Sequence, residues 1–454
     1  MHLIGIGGAG LSGIARVLAE RGEDVSGSDQ APSSYSEALK QIGVRVAYGH
    51  RPNHVAGAGV VIASSAIPPD NVELVAARQA GIPVLRREAF LGELTEDFET
   101  IAIAGSHGKT TTSGLIAWVL HQAGLDPSYL VGGMLQDFAT NAHAGGGRHF
   151  VVEADEYDRA FLGLRPRIAV VTSVDHDHPD CYPTPQDFAA AFEAFAQRVT
   201  ELLLLCADDR GARQLRSPGV KRITYGLAGD ADWRADQVRA NSAGGSDFLV
   251  TGVGASVGLV RTRLPGLHNV ANALAAIAVA NDVGVAMSTI REALTEYHGA
   301  GRRFEILGQA RGITVIDDYA HHPTEIMATL AAVRQRYPRG KVWAILQPHT
   351  YSRTRTLAEG FARAFSDADH VLVTEIFAAR EQPDGQTTGS RLAERIEHPD
   401  VRFQPDFEES AVGLSQSVET GDVVITLSAG DANQIGRRLL ELLRDASQGV
   451  QDER

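Results

Sequence analysis

One loop of the chain carries the residues best suited to phosphate chemistry. The apolar run TIAIA is followed by Gly105-Ser106-His107-Gly108-Lys109-Thr110-Thr111-Thr112 and then by a helical pattern. Backbone N–H groups between the two glycines can face phosphates, Lys109 can neutralise terminal phosphates, and the Thr110 hydroxyl can reach Mg²⁺. Ile103 stands where the strict P-loop pattern has its first glycine, yet one of only four lysines in the chain lies in this loop. The loop predicts a binding site for a nucleoside triphosphate.

A second glycine-rich turn lies at the N-terminus. Gly5-Ile6-Gly7-Gly8-Ala9-Gly10 leaves an apolar run and opens a helical pattern, and Asp29 ends the next apolar run, 19 residues after Gly10. Such glycines let backbone N–H groups approach a pyrophosphate at a helix N-terminus. The turn predicts a bound nucleotide diphosphate, with a turn needed only for packing as the alternative. The glycines do not distinguish NAD from a UDP-sugar.

Acidic and imidazole groups follow two further apolar runs. Glu153-Ala154-Asp155-Glu156-Tyr157-Asp158 follows FVV, and Asp175-His176-Asp177-His178 follows IAVVTSV. Carboxylates at neighbouring strand ends beside a P-loop suit a Mg²⁺-nucleotide site, because hard cations prefer oxygen ligands. A solvated acidic loop is the alternative. A zinc site is a weaker interpretation, since neither a cysteine nor a third histidine has ligand spacing.

Other polar groups are not diagnostic by spacing alone. The pair Arg302-Arg303 could clamp a phosphate or lie in a solvated linker. The histidines before Pro323 could be catalytic or could cap a helix. Cys181 and Cys206 are expected to be packing residues, because nothing nearby predicts an activated thiolate.

Composition narrows the class of protein. The 454 residues include 42 Lys plus Arg and 56 Asp plus Glu, a formal net charge of -14. This balance argues against a nucleic-acid or anionic-membrane surface, which would need clustered basic residues. Two unpaired cysteines, no signal-peptide pattern and no apolar run of about 18 residues favour a cytoplasmic protein.

The elements that must position these residues alternate strand and helix. Short apolar runs followed by helical periodicity predict parallel α/β units, and the length predicts several domains. A polar stretch near residue 97 and a glycine-rich turn near residue 300 divide the chain into units 1–97, 98–300 and 301–454. Residues 221–265 look like short antiparallel strands, and the last unit has four strand candidates. Ligands of parallel sheets bind beyond the carboxyl ends of strands.

Together these motifs resemble the Mur ligases of peptidoglycan synthesis. Nine segments occur in the family's order and span nearly the whole chain: GIGGAGLSGIA, GSHGKTTT, EADEYD, DHDHPD, PGLHNVANALAA, GRRFE, DDYAHHPTE, QPHTYSRTR and SAGD. The resemblance implies a Rossmann-like N-terminal domain for a UDP-sugar and a central P-loop ATPase domain. It also implies a Rossmann-like C-terminal domain that closes on ATP and binds the amino acid.

The resemblance also implies roles for individual residues. The expected catalytic residues are Lys109, His178, His321 and Arg353. The expected ATP-binding residues are Gly105, Ser106, His107, Gly108, Lys109, Thr110, Thr111, His268, Asn269, Asn272, Arg302 and Asp318. The expected UDP-sugar residues are Gly7, Gly8, Ala9, Gly10, Asp29, Ser64 and Ser65, and the expected ligands of Mg²⁺ (or Mn²⁺) are Thr110, Glu153 and His178.

The implied activity is amide formation driven by ATP. The resemblance is greatest to members that join L-alanine to UDP-N-acetylmuramate, with no nucleic-acid or membrane partner, as a monomer or homodimer. The nearest alternative is recycling of the L-Ala-γ-D-Glu-meso-diaminopimelate tripeptide onto the same UDP-sugar. An NAD-dependent dehydrogenase would leave GSHGKTTT unused, and a nucleotide-gated regulator would use the P-loop only as a switch.

The chain departs from the family pattern at three places. Tyr157 stands where many members have Ser, and Thr350 stands where many have Arg, which removes a possible substrate contact. No lysine occurs between Pro179 and Val220. The carbamylated lysine that helps other Mur ligases hold a second metal is therefore excluded here.

Overall fold

Three sheets with helices packed on them form the molecule, as the predicted α/β class requires. The computed structural model of the chain describes residues 1–252 and 255–452. The sheets contain five, ten and six strands, in chain order. They are separated by short segments between residues 95 and 99 and between residues 296 and 305, where the predicted boundaries at 97 and 300 lie.

The N-terminal sheet is parallel, with strand order β3-β2-β1-β4-β5. Strands β1 to β5 are His2–Ile4, Ser26–Asp29, Arg45–Tyr48, Val61–Ala63 and Val84–Arg86. Helices α1 to α4 are Ala9–Glu20, Ser34–Gln41, Val72–Gln79 and Arg87–Thr95, with a 3-10 helix at Pro52–Val55. Strand β3 did not appear among the predicted strands, because this edge strand is only partly buried and lacks a continuous apolar run.

The middle sheet has the order β15-β14-β13-β12-β11-β10-β6-β9-β7-β8. Strands β6 to β15 are Glu99–Ala104, Ser128–Leu135, Thr140–His143, His149–Glu153, Ile168–Val171, Leu202–Cys206, Lys221–Gly226, Trp233–Ala240, Ser246–Gly252 and Ala255–Thr262. Helices α5 to α9 are Lys109–Gln122, Pro185–Ala196, Arg210–Gln214, Leu267–Asp282 and Met287–Glu296, with a 3-10 helix at Tyr157–Gly163. The central strand β11, LLLLC, is buried along its length, as expected of a parallel strand covered on both faces.

The segment predicted to be antiparallel is so only in part. Strands β13, β14 and β15 pair antiparallel with one another, but β12 pairs parallel with both of its neighbours. The prediction was wrong for β12 because its polar start and glycine-rich surroundings hide its continuity with the parallel core. Composition shows a strand but not its direction.

The C-terminal sheet has the order β16-β17-β21-β18-β19-β20 and is parallel except for β16. Strands β16 to β21 are Glu305–Ala310, Ile313–Asp318, Val342–Gln347, His370–Val373, Val401–Phe403 and Val423–Ser428. Helices α10 to α15 are Pro323–Arg336, Tyr351–Thr356, Ala358–Ala362, Gly389–Ala393, Phe407–Ser417 and Asn433–Asp452. The four predicted strands, β17, β18, β19 and β21, are the interior strands of the sheet, and the two additional strands lie at its edges.

The hydrophobic core joins the first two units and leaves the third separate. One buried cluster runs from Leu3 and Ile14 of the N-terminal unit through Ile101 of β6 to Leu294 of α9. The C-terminal unit has its own clusters on the two faces of its sheet. The third unit therefore meets the others mainly through polar contacts. Within the described ranges, no helix is both long enough and apolar enough to cross a bilayer.

Helix α4 packs on the 3-10 segment through two facing glycines. A Cβ atom at Gly92 would lie 2.7 Å from the Gly163 carbonyl oxygen, and one at Gly163 would overlap the Glu88 carbonyl oxygen. Backbone atoms cannot move aside as a flexible side chain can. This close approach fixes the N-terminal unit against the middle one.

We predict that Gly163→Ala lowers the free energy of unfolding by about 1–3 kcal/mol, because the added methyl group must push α4 away. Urea denaturation followed by circular dichroism would measure the change. Gly59→Ala is the matched control, since a Cβ atom there would meet no atom within 4 Å. Equal stability of the two variants would contradict the prediction.

Candidate active site

The predicted P-loop connects β6 to α5, and its lysine is held in place by carboxylates. Gly108 has a φ of 79°, which favours glycine, and α5 begins at the next residue. The Lys109 Nζ donates to the Gly105 carbonyl oxygen and, over 3.0 Å, to Glu156 Oε1. Burial lowers the pKa of Lys109, but Glu156 and Glu153 raise it more strongly, so the ammonium stays charged. A half-buried cation thus lies at the N-terminus of a helix.

Two predicted metal ligands are in direct contact. Glu153 ends β9, where its Oε1 accepts a hydrogen bond from the Thr110 hydroxyl at 3.1 Å and its Oε2 accepts from the Gly132 N–H at 2.7 Å. Burial raises the pKa of Glu153, although the Lys109 ammonium opposes this effect. A buried carboxylate of this kind is stabilised by any further positive charge.

The third predicted ligand, His178, lies beside a buried ion pair between units. Arg353 donates from Nε to Asp177 Oδ1 at 2.7 Å and from Nη2 to Asp177 Oδ2 at 3.1 Å. His178 Nε2 is 3.2 Å from Glu156 Oε1, and its Nδ1 is 3.4 Å from Arg353 Nη2. Arg353 is therefore bound to Asp177 and joins the C-terminal unit to the middle one.

A second contact between these units is centred on His107. Its Nε2 is 3.1 Å from Asp175 Oδ2, and its Nδ1 is 3.2 Å from Glu325 Oε1 of α10. Burial lowers the pKa of His107, but the hydrogen bonds to Asp175 and Glu325 outweigh this effect and raise the pKa to about 9. Thr324 also donates to Asp175, over 2.7 Å. A protonated imidazole thus connects the P-loop to the C-terminal unit.

His107 also belongs to a group that could in principle hold a metal. Potential ligand atoms of His107, Asp175 and His322 lie within 4.8 Å of one another, the one such group found in the described part of the chain. His322 Nδ1, however, accepts the Thr324 N–H and so caps α10. The structural alternative for the histidines before Pro323 thus holds for His322.

The neighbouring His321 is half-buried and Asp318 is buried, and both have shifted pKa values. His321 Nδ1 is 2.8 Å from the Tyr319 carbonyl oxygen, so Nδ1 carries the proton and Nε2 a free electron pair. Burial lowers the pKa of His321 to about 4, so the ring is neutral at pH 7. Burial also raises the pKa of Asp318 to about 6, and the carboxylate accepts the Phe304 and Ala320 N–H groups.

Two cavities adjoin these residues. The larger, about 920 Å³, opens between all three units, and the smaller, about 470 Å³, lies between the middle and C-terminal units. Both are lined by Thr110, Arg303 and Glu325. A ligand in one cavity can therefore meet a ligand in the other at these three side chains.

The structure brings most predicted site residues to one of the two cavities. The larger cavity is lined by Ala9, Gly10, Ser106, Lys109, Thr110, Glu153, His178, Arg302, His321 and Arg353. The smaller cavity is lined by His107, Gly108, Thr110, Thr111, His268, Asn269, Asn272 and Asp318. The lining of neither cavity includes Gly7, Gly8, Asp29, Ser64, Ser65 or Gly105.

Asp29 contacts the glycine turn directly. Its Oδ2 accepts the Gly7 N–H at 2.8 Å, so the carboxylate braces the glycine turn. The turn itself reaches the larger cavity only at Ala9 and Gly10. Within this structure, the first helical turn of α1 is the part of the motif that faces the cavity.

The two arginines of GRRFE differ in a way that the sequence could not show. Arg302 donates to Asp317 at 2.9 Å and to the carbonyl oxygens of Gly430 and Ser428. Both guanidinium groups lie over the Tyr319 ring, at 5.2 Å for Arg302 and 5.0 Å for Arg303. Arg303, however, forms no ion pair or hydrogen bond with a described side chain, and Asp318 and Glu325 act on its charge only through space. The arginine available to an anion is therefore Arg303, which sequence reasoning left in the background.

Three parts of the chain match domain models of a single protein family. Its residues 1–99, 103–280 and 302–430 match the Mur ligase family catalytic domain, the Mur ligase middle domain and the Mur ligase glutamate ligase domain, respectively. The chain belongs to the Mur ligase family. It is therefore an ATP-dependent ligase that forms a C–N bond.

Individual members of the Mur ligase family match this chain over nearly its whole length. It is 45% identical to the UDP-N-acetylmuramate–L-alanine ligase of Roseiflexus sp. (strain RS-1), over 98% of this chain and 99% of the relative. The corresponding enzyme of Kineococcus radiotolerans is 43% identical, over 98% and 96%. The crystal structure of UDP-N-acetylmuramate-alanine ligase from Thermotoga maritima superposes with a TM-score of 0.83 at 27% identity, covering 98% and 99%. A murein peptide ligase from Psychrobacter arcticus gives a TM-score of 0.71 at 27% identity, covering 97% and 98%.

One departure of this Mur ligase has a structural role. The Thr350 side chain accepts the Arg353 N–H at 3.4 Å and caps α11. The threonine thus orients the helix that carries Arg353, as a short hydroxyl side chain can and an arginine cannot.

We predict that the contact of His107 with the C-terminal unit makes the stability of the protein pH-dependent. A histidine whose pKa rises on folding, here from about 6.5 to about 9, stabilises the fold fully below pH 6.5, and this contribution is lost as pH rises through 9. His107→Gln should lower Tm by about 2–4 °C at pH 7, and the difference from the native chain should vanish by pH 10. Thermal unfolding without nucleotide would measure it.

The matched control is His143→Gln, because the His143 ring is 41% exposed and pairs with Glu20 outside the cavities. Its effect on Tm should be small across the same pH range. A His107→Gln difference that stays constant from pH 7 to pH 10 would count against the assignment.

Proposed function

We propose that this Mur ligase joins L-alanine to the carboxylate of UDP-N-acetylmuramate, with ATP as the energy source. The observation that carries the proposal is the meeting of two cavities at Thr110, Arg303 and Glu325, beside the half-buried Lys109 ammonium. A ligase of this kind must bring an acceptor carboxylate to the terminal phosphate of ATP. The full-length relatives named for this reaction support the choice of substrates.

ATP fits the smaller cavity. Its walls combine apolar side chains such as Leu264 and Leu267 with the polar groups of Asn269 and Asn272. We place the base there and the phosphates at the P-loop, so that the triphosphate extends toward Lys109 and Arg303. Burial lowers the pKa of His268 to about 4, so this neighbouring ring is neutral and adds no charge to the pocket.

The residues around Thr110 fit a divalent cation. The Glu153 carboxylate is buried with a raised pKa, and the Thr110 hydroxyl already contacts it. We assign Thr110, Glu153 and His178 to hold Mg²⁺ (or Mn²⁺). Such a cation would neutralise charge on the phosphate oxygens when bound.

The UDP-sugar fits the larger cavity. Ala9 and Gly10 of the glycine turn line it, together with Tyr35 and the half-buried Arg87. Arg87 ion-pairs with Asp155 of the middle unit, which connects the UDP-sugar wall with the P-loop wall. The N-terminal unit would thus bind the UDP-sugar, the middle unit ATP and the C-terminal unit the amino acid.

The first chemical step is phosphoryl transfer. The muramyl carboxylate attacks the γ-phosphorus of ATP, which gives an acyl phosphate and ADP. Lys109 and Arg303 stand where negative charge spreads over the phosphate oxygens, and preorganised cations in a site closed to water stabilise such charge strongly. The chain thus contributes mainly position and charge.

The second step is attack by the amine of L-alanine. The amine adds to the acyl carbon to form a tetrahedral intermediate, which then releases phosphate. His321 lines the larger cavity as a neutral ring with a free electron pair on Nε2. We assign His321 to accept the proton that the amine loses.

Phosphate release from ATP tests the function directly. The protein would be incubated with Mg²⁺, ATP and UDP-N-acetylmuramate, with L-alanine, glycine, L-serine or the L-Ala-γ-D-Glu-meso-diaminopimelate tripeptide added separately. Release that requires both the UDP-sugar and L-alanine, with the alanyl mass added to the product, is the expected result. Release with the tripeptide alone would assign the enzyme to recycling, and release without any amine would favour a nucleotide switch.

We predict that the two adjacent arginines respond differently to substitution. Arg303→Gln should lower kcat about 10²- to 10³-fold with little change in Tm, because its cation acts on the reacting phosphate. Arg302→Gln should lower Tm, because it leaves the buried Asp317 carboxylate without its partner. The phosphate assay and thermal unfolding together separate the two effects, and a reversed pattern would overturn the assignment.

We further predict that Lys109→Ala abolishes ATP turnover but leaves binding of the UDP-sugar largely intact. Among the described residues, the ammonium donates hydrogen bonds only to P-loop carbonyl oxygens and Glu156, and to no residue of the N-terminal unit. Calorimetric titration with UDP-N-acetylmuramate would show retained affinity. Ligation at a near-native rate by this variant would show that the P-loop assignment is wrong.

A further inference from the structure

Tyr157 is the family departure that lies closest to the proposed chemistry. Its ring packs edge-on against the His178 ring, with 5.1 Å between ring centroids. Its hydroxyl donates to Asp180 Oδ2 at 3.0 Å. The next two residues, Asp158 and Arg159, have φ values of 54° and 57°, which residues other than glycine seldom adopt.

Arg380 reaches the same point from the C-terminal unit. Its guanidinium carbon lies 4.0 Å from the centroid of the Tyr157 ring, and its Nη2 is 3.3 Å from Asp180 Oδ2. Tyr157, Asp180 and Arg380 all line the larger cavity. One arginine of the third unit therefore makes both a cation–π contact and an ion pair with the middle unit.

This contact differs in position from the other contacts between the two units. The Arg353 and Asp177 side chains are 4% and 5% exposed, whereas Arg380 and Asp180 are 48% and 30% exposed. Arg353 therefore lies deep in the interface and Arg380 at its outer edge. Tyr157 connects the edge to His178 in the interior.

We propose that Arg380 is a positioning residue that closes the edge of the larger cavity over the amino-acid site. By stacking on Tyr157 it holds the ring against His178, and by pairing with Asp180 it keeps the third unit docked there. The contact retains L-alanine and excludes water until the amine attacks the acyl phosphate. This inference rests on the proposed ligase function.

The test compares single substitutions in the full-length chain. Arg380→Gln removes the charge, and Arg380→Lys keeps a cation that can lie over the ring. Tyr157→Phe keeps the ring without the hydroxyl, and Tyr157→Ser removes both. Arg355→Gln is the matched control, because Arg355 forms an exposed ion pair with Asp384 within its own unit and lines neither cavity.

Steady-state kinetics give the first measurement. Arg380→Gln should raise the KM for L-alanine about three- to tenfold and change kcat less than about twofold. Phosphate released per ligated product should rise above one, because water then competes for the acyl phosphate. Arg380→Lys should recover part of the loss, and Arg355→Gln should match the native chain.

A double variant tests whether the two residues act together. Arg380→Gln combined with Tyr157→Ser should raise the KM for L-alanine no further than the more severe single variant does, because both remove the same contact. Tyr157→Phe should lie between the native chain and Tyr157→Ser. Independent effects that multiply would contradict the stacking contact.

Hydrogen exchange gives a measurement that does not depend on activity. Amides of residues 157–163 should exchange faster in Arg380→Gln than in the native chain, and Arg355→Gln should leave them unchanged. Native kinetics with unchanged exchange in Arg380→Gln would overturn the proposal, and so would equal losses in Arg380→Gln and Arg355→Gln. Failure of the native chain to ligate L-alanine would instead reject the proposed function, and the exchange result would then decide on the contact alone.

Discussion

Repulsion between two anions is the constraint around which the molecule is arranged. A carboxylate approaches a triphosphate only where fixed cations offset the charge, and a fixed buried cation must itself be compensated. Lys109 meets this requirement through Glu156, and Arg353 through Asp177. Arg303 is different, because Glu153, Asp318 and Glu325 act on its charge only through space, and no described carboxylate accepts a hydrogen bond from its guanidinium. The cations that are hydrogen-bonded to carboxylates organise the site, and the guanidinium donors of Arg303 remain for the ligand.

The division of the hydrophobic core suits this arrangement. The first two units share one apolar cluster, so the wall assigned to the UDP-sugar is fixed relative to the P-loop. The third unit has its own core and is attached through ion pairs and hydrogen bonds, including those of His107 and Arg353. Contacts of this kind can break and form again at a smaller cost than a shared core, which is what a domain that admits substrates requires.

Sequence reasoning selected many of the residues that line the two cavities but could not predict their partners. Lys109, Glu153 and His178 follow strands or open a helix, and parallel strands bring such ends to one edge. Contacts between units could not be predicted, because residues such as Asp177 and Arg353 are 176 residues apart and no local pattern links them. The same limit applies within GRRFE, where two identical side chains differ only in what surrounds them.

The sequence by itself determined the family, the α/β class, the glycine turns and the residue types at the strand ends, because these depend on local conformation and spacing. Only the tertiary structure decided that His322 caps a helix, that Asp29 braces its own turn and that Arg303 is the available arginine. It also decided the direction of β12 and the position of Arg380 over Tyr157. These depend on which neighbour lies within a few ångströms, and that is a property of the packed chain, not of its local sequence.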